Sequence, residues 1–269
     1  MRLMNLLKFR RDKYSSTGND GIIEYIFKTL GVRNGVFVEF GAWDGIVGSN
    51  CRKLFEEGWS GVFIEADKGR FADLARNYKN TNVVCINALV GSGGSFDEIV
   101  GKHVQHIDFC SIDVDGLDLE IFETFREYMP DVVCIEGGQM LHPDHPEIPR
   151  GKAKNNIQQS LGVMAAAFAA KGYRPICSYQ DTFFVKDVFY GKFDVPAKLI
   201  DLYLDGLVAH ARRIPWIVKK LKANKLSNPI LSEIQKRAKF QQYKYPRRKE
   251  WAKAEINRIK RVVEEIRSR

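Results

Sequence analysis

From Val36 onward the chain alternates short, nearly unbroken apolar runs with stretches of helical periodicity, an order that fits a parallel sheet covered by helices on both faces. The runs are VFVEF (36–40), GVFIEA (61–66), NVVCINALV (82–90), IDFCSIDV (107–114) and DVVCIEG (131–137). Val, Ile, Phe and Cys follow one another in them without polar alternation, as in strands buried on both faces. Between them, 68–78, 117–129 and 156–172 place apolar residues three and four apart and predict helices, the last ending at Gly172 as a C-terminal cap. YRPICSYQ and DTFFVKDVFY, parted only by a polar Gln-Asp step, predict an antiparallel final hairpin. The expected fold is therefore α/β, a doubly wound, mostly parallel Rossmann-like sheet. A chain of 269 residues can bury such a core without staples. The five scattered cysteines contain no C-x-x-C pair, so neither a disulfide framework nor a cysteine zinc site is indicated; buried free thiols are expected.

The charge divides the chain. Residues 192–269 carry 21 Lys+Arg against 8 Asp+Glu, whereas residues 1–191 carry 21 against 25. This sets a mildly acidic domain beside a basic extension, whose helical segments 197–213, 215–223, 229–242 and 246–267 are punctuated by proline. The organisation expected is an N-terminal helical segment (1–35), a Rossmann-like domain (36–191) and a basic helical extension (192–269). The extension predicts an anionic partner: a membrane surface, an anionic glycan or, as the alternative, nucleic acid. The apolar runs fall short of the ~18 residues of a membrane helix, and the short amphipathic start MRLMNLLKFRR lacks a cleavage site. A cytoplasmic protein is expected, with a peripheral position at the inner membrane face as a variant.

The first strand runs into VEFGAWDGIVGSN, a glycine-rich turn. Gly41, Gly45 and Gly48 permit sharp curvature and close ligand approach. A dinucleotide fingerprint would require glycine where Trp43 stands, which disfavours a pyrophosphate. Glu65, 24 positions after Gly41, ends the second strand, where an acid can accept both hydroxyls of a ribose. Glu39, just before the turn, supplies an anion for an amino group. Together these predict a nucleoside site without a diphosphate.

That combination resembles the class I S-adenosylmethionine-dependent methyltransferases. More narrowly, DGIIEYIF, FVEFGAWDG, GWSGVFIEAD, SIDVDGLDLEIF and VVCIEGG resemble the FkbM-like methyltransferase family over about residues 14–190. The resemblance implies S-adenosylmethionine as cofactor, with Glu39, Gly41, Asp44 and Gly45 around its methionine part, Glu65 and Ala66 at the ribose, and Asn87 and Ala88 at the adenine edge. It also implies an acceptor on a sugar, because many members act on polysaccharides or natural products. The extension lies outside it.

In a doubly wound sheet, ligands bind beyond the carboxyl ends of the strands. Asp113, Asp115 and Glu136 should converge there. One use is a general base, Asp113 or Asp115 taking the proton of an acceptor hydroxyl, with His142 as a further catalytic candidate. The other is a hard cation such as Mg²⁺ held by Asp113, Glu136 and His142 or His145. The spacing is no recognised metal signature, so the metal-free use is taken first. His103 and His106 precede the fourth strand, at the opposite end of the sheet. The expectation is an O-methyltransferase acting on a carbohydrate or glycan-linked hydroxyl. Its rivals are a nucleic-acid-binding scaffold and a nucleic-acid methyltransferase. DVDG stands where base-amino methyltransferases carry N-P-P-[YF], which disfavours base methylation.

Overall fold

The computed structural model describes residues 6–90, 96–138, 141, 143–148 and 158–209. Seven strands, β1 (Val36–Phe40), β2 (Ser60–Glu65), β3 (Val83–Asn87), β4 (Phe109–Ile112), β5 (Val132–Glu136), β6 (Tyr173–Ser178) and β7 (Asp181–Lys186), form one sheet in the order β3-β2-β1-β4-β5-β7-β6. The pairs β1–β2, β1–β4, β2–β3 and β4–β5 are parallel, while β7 runs antiparallel to both β5 and β6. This is the Rossmann-like sheet with an antiparallel final hairpin that the sequence predicts. Its switch point, where the chain leaves β1 toward one side and β4 takes up the other, lies between β1 and β4.

Around the sheet lie α1 (Asn19–Leu30), α2 (Arg52–Glu56), α3 (Lys68–Asn77), α4 (Phe96–Val100), α5 (Asp118–Glu123), α6 (Leu161–Ala169), α7 (Asp187–Tyr190) and α8 (Leu199–Ala209). Strand alternation splits the core in two. Val38, Phe40, Val62, Ile64, Cys110, Ile112, Val133 and Ile135 pack with Phe96, Phe122 and Phe168. Phe37, Phe63, Phe109, Val132, Cys134 and Phe183 pack with Ile22, Ile26, Phe27 and Trp59. The N-terminal segment thus shares the sheet's core, and so does the start of the extension, where Leu202, Tyr203 and Leu204 are buried. The extension beyond residue 209 lies outside the described residues. All five cysteines are free, four of them buried.

Two elements depart from expectation for visible reasons. The helix expected over 117–129 stops at Glu123, because the Asp97 carboxylate accepts the backbone N–H groups of Arg126, Glu127 and Tyr128, at 2.9, 3.1 and 2.9 Å. Lys171 Nζ meanwhile donates to the carbonyls of Glu123 and Phe125. The strand expected to reach Tyr190 ends at Lys186, where β6 begins opposite it at Tyr173 and β5 has just begun at Val132; beyond that point no ladder partner remains, and 187–190 turn helical. The helix expected from 156 is described from Leu161, capped by Ser160; Gly172 follows it in the left-handed conformation.

Phe168 on α6 joins three elements, stacking on Phe122 at 3.5 Å and on Phe184 at 3.7 Å while fully buried. Phe168→Ala should cost about 3–5 kcal/mol of stability, read as a lower midpoint in urea unfolding.

Candidate active site

Strand alternation also assembles the site. In the sheet register Glu39, Ser111 and Cys134 stand side by side on the face that α1 covers. Two residues further along that face come Asp113 and Glu136, with Asp181 directly opposite Glu136. Chain-distant acids are brought to one edge by nothing more than parity and register.

The lower row is a satisfied polar core. Glu39 is buried; its Oε2 accepts from the Ser49 hydroxyl at 2.6 Å and its Oε1 from the Asn50 N–H at 2.8 Å. Burial pushes its pKa up to about 7 against the pull of those two donors. Asn50 Nδ2 donates to Ser111 Oγ, and Asn50 Oδ1 accepts from Asn19 Nδ2, both at 2.9 Å. Asn19 also donates to Asp181 Oδ2 at 2.7 Å, joined there by Thr17 Oγ1 at 2.9 Å. Thus Glu39 fastens the end of the glycine turn, and the N-terminal segment fastens β7.

The glycine turn has the curvature its sequence predicts: Gly41, Gly45 and Gly48 have φ of 67, 72 and 77°. Asp44 Oδ1 accepts from Ile46 and Val47 N–H at 2.8 and 2.9 Å, so this residue shapes its own loop. From α3, Asn77 Nδ2 donates to the Asp44 carbonyl, and the Tyr78 hydroxyl just beyond it to that of Gly45. At the next strand exit Glu65 is buried, with Oε2 accepting from Trp43 N–H at 2.9 Å and Oε1 from Asp67 N–H at 2.8 Å. Ala66 is exposed beside it. Asn87 Nδ2 donates to the carbonyls of Glu65 and Ala66, tying β3's exit, where Ala88 follows, to that of β2.

Asp113, Asp115 and Glu136 have carboxylate oxygens within 4.8 Å of one another. Asp113 reaches solvent at the rim of this edge. Even so, surrounding protein atoms, then the charges of Asp181, Glu136, Asp118 and Asp115, raise its pKa to about 8. Glu136 is raised to about 7, first by desolvation and then by Asp118, against a hydrogen bond of 2.5 Å from Gln158 Nε2. Asp115 and Gly116 both have positive φ, at 58 and 124°, and Asp118 staples that turn by accepting from Val114 and Gly116 N–H. Asp115 is thereby both a turn residue and a member of the cluster.

His142 lies outside the described residues. His145 is described, with Nδ1 2.8 Å from its neighbour Pro146's carbonyl oxygen, and the described cluster contains Asp115 in its place. His106 sits at the other end of the sheet, 3.5 Å from Asp108 and 3.3 Å from Asp131. There Asp108 accepts from Val36 N–H at the start of β1, and Lys186 at the end of antiparallel β7 pairs with Asp131 just ahead of β5. Asp181, Gln158 and the Asn19–Asn50 link are site residues that sequence reasoning missed. The Gln-Asp step only parts the two strands in the sequence pattern; the signal there is an acid opening a strand that must pair with the one ending in Glu136.

No family model matches the chain, and no curated protein matches it. Among solved structures it is similar to an O-methyltransferase from Bacillus cereus in complex with SAH, at 14% identity over 66% of this chain and 85% of that one, TM-score 0.43. It is also similar to the magnesium protoporphyrin IX methyltransferase of Synechocystis PCC 6803 with bound SAM, at 9% identity over 62% and 77%, TM-score 0.42. A putative tRNA (m1A22) methyltransferase from Streptococcus pneumoniae covers more, 89% and 97%, at 10% identity and TM-score 0.41. These are likenesses of chain course.

Glu39's pKa of about 7 stands above its ordinary value of 4.5, so the folded chain keeps a proton that the unfolded chain has released. Its contribution to stability is complete below the ordinary value and is lost as pH rises through about 7. Glu39→Gln should flatten the pH dependence of the unfolding free energy between about pH 5 and 8, by about 3 kcal/mol over that window, in urea titrations at stepped pH.

Proposed function

We propose that the chain is an S-adenosylmethionine-dependent O-methyltransferase acting on a carbohydrate or glycan-linked hydroxyl. The observation that carries the reading is the meeting, on one sheet edge, of a glycine turn leaving β1, a buried acid ending β2, and carboxylates at the exits of β4 and β5. The acceptor class is drawn from the family resemblance and from the suitability of clustered carboxylates for a diol.

The residues fit such a cofactor. Each oxygen of Glu65 receives one backbone N–H, which leaves a second lone pair on each for the two hydroxyls of a ribose. Gly41 and Gly45 keep side chains out of the turn, while Glu39 and Asp44 hold its shape from below and within. Asn87 and Ala88 lie at the neighbouring exit, on the adenine side. When bound, S-adenosylmethionine supplies a methyl group on a sulfonium sulfur, the electrophile of the reaction. Asp113 would accept the proton of the acceptor hydroxyl as its oxygen bonds to that carbon and the carbon–sulfur bond breaks, with S-adenosylhomocysteine as the leaving group; a carboxyl near pKa 8 is matched to that exchange around neutral pH. Asp115 and Glu136 orient the acceptor, and alignment contributes more than the base.

One observation favours a second version: three carboxylates within 4.8 Å suit a hard divalent cation such as Mg²⁺, which would orient a sugar diol and lower its pKa. The basic residues of 192–269 serve an anionic partner, a membrane surface or anionic glycan. Among the described residues no helix is long and apolar enough to cross a membrane. The runner-up, a nucleic-acid substrate or ligand, rests on that same charge.

Calorimetric titration with S-adenosylhomocysteine tests the cofactor reading. The chain should bind it, and Glu65→Ala should weaken binding by about 1.5–3 kcal/mol; absence of binding to the unsubstituted chain overturns the proposal. With sugar nucleotides and oligosaccharides screened for methyl transfer, Asp115→Asn should lose most turnover. Its thermal midpoint should stay close to that of the unsubstituted chain, because asparagine tolerates the left-handed backbone at this position. Activity that EDTA abolishes and Mg²⁺ restores would replace the general-base version with the cation version.

A further inference from the structure

Trp43 occupies the position where a dinucleotide-binding turn needs glycine, and it keeps the glycine-like conformation, φ 50°. Non-glycine residues of its bulk rarely adopt that region, and such outliers persist only where the surroundings over-determine them. Here they do. The Trp43 N–H is bonded to the buried Glu65 carboxylate, the preceding Ala42 N–H to the Ile64 carbonyl at 3.2 Å, and Gly45 N–H closes back on the Ala42 carbonyl at 2.7 Å. The constraint does not bury the ring: Trp43 is 51% exposed. The Arg70 guanidinium stands 4.5 Å from the ring centroid, on the first turn of α3. An exposed cation–π contact of this kind contributes too little to account for a tryptophan held in such a backbone. Leu89, two residues past the end of β3, is another large apolar side chain left exposed among the described residues.

We propose that the Trp43 indole is the stacking platform for the purine base of the nucleoside whose ribose Glu65 holds; the inference rests on the cofactor reading above. The backbone bond to Glu65 then links the two halves of recognition. The residue whose N–H steadies the ribose acid is the residue whose ring receives the base, so the platform stands at a fixed offset from the sugar. A π-face binds a purine without a directional bond, which suits a rim position open to water.

Binding of S-adenosylhomocysteine and of adenosine should be measured for the unsubstituted chain, Trp43→Phe and Trp43→Asn. Asparagine accepts a left-handed backbone and keeps the N–H to Glu65, so Trp43→Asn removes the ring alone, and its thermal midpoint should not fall. We expect Trp43→Asn to weaken both ligands by the same factor, roughly fivefold to a hundredfold, and Trp43→Phe to keep most of the affinity. If Trp43→Asn binds S-adenosylhomocysteine as tightly as the unsubstituted chain, the platform is refuted while the cofactor reading stands. If the unsubstituted chain binds neither ligand, both fall together.

Discussion

The backbone of Gly41 lies so close to the end of β4 that a Cβ there would come within 1.9 Å of the Asp113 carbonyl oxygen. Everything at the carboxyl edge depends on that approach. It lets the chain leave β1 across the tip of its neighbour, so the glycine turn, proposed to hold the cofactor, and Asp113, proposed to take the proton, are positioned by one backbone contact. A side chain at 41 would have to part β1 from β4 at the switch point, where the sheet opens to ligands. The left-handed φ at the same residue disfavours other amino acids a second time.

Below that contact the site rests on polar groups in the core, whose burial is tolerable because their partners are supplied. Glu39, Ser49, Asn50, Ser111, Asn19, Thr17 and Asp181 form one hydrogen-bonded series from β1 through β4 to β7, and the Tyr179 hydroxyl closes it on Asn19 Oδ1 at 2.7 Å. The N-terminal segment is drawn into the same scheme: the Asp20 carboxylate accepts the N–H groups of Lys13, Tyr14 and Ser15 and fixes the chain just ahead of α1. Such a network leaves few alternative arrangements, which is a requirement for groups that must meet a ligand within fractions of an ångström.

The strands were legible because burial on both faces writes itself as unbroken apolar runs, and β1 coincides with its run, 36–40. The glycine turn and Glu65 were legible because both are local to strand exits. The rest was not, for one physical reason: its determinants are distant in sequence. Asn19 and Asp181, 162 residues apart, meet only once the sheet exists. The early end of α5 depends on Asp97, about thirty residues upstream and on another helix. Periodicity over 117–129 gave no sign that a carboxylate would intercept three of its N–H groups. Trp43 is a different case: its place in the turn disfavours a pyrophosphate, but nothing local in the sequence announces its left-handed backbone. Its residue type argued against the glycine conformation, and a bond to Glu65 overrode that preference.

The acids at the β4 and β5 exits then follow from a balance between location and charge. Register brings Asp113, Glu136 and Asp181 to adjacent positions, and Asp115 and Asp118 enter through the turn after β4. Desolvation raises the pKa values of Asp113, Glu136, Asp118 and Asp181, and at Asp113 and Glu136 the charges of neighbouring carboxylates add to it, which means that full ionisation opposes the fold. Sequences selected for stability alone disperse such groups. Here the fold brings them together at a sheet edge and provides neutral donors such as Gln158 and the Val114 and Gly116 N–H groups. A ligand that brings hydroxyl donors or a divalent cation relieves the same repulsion. The destabilised carboxylates therefore favour binding at the edge where the methyl acceptor is proposed to sit.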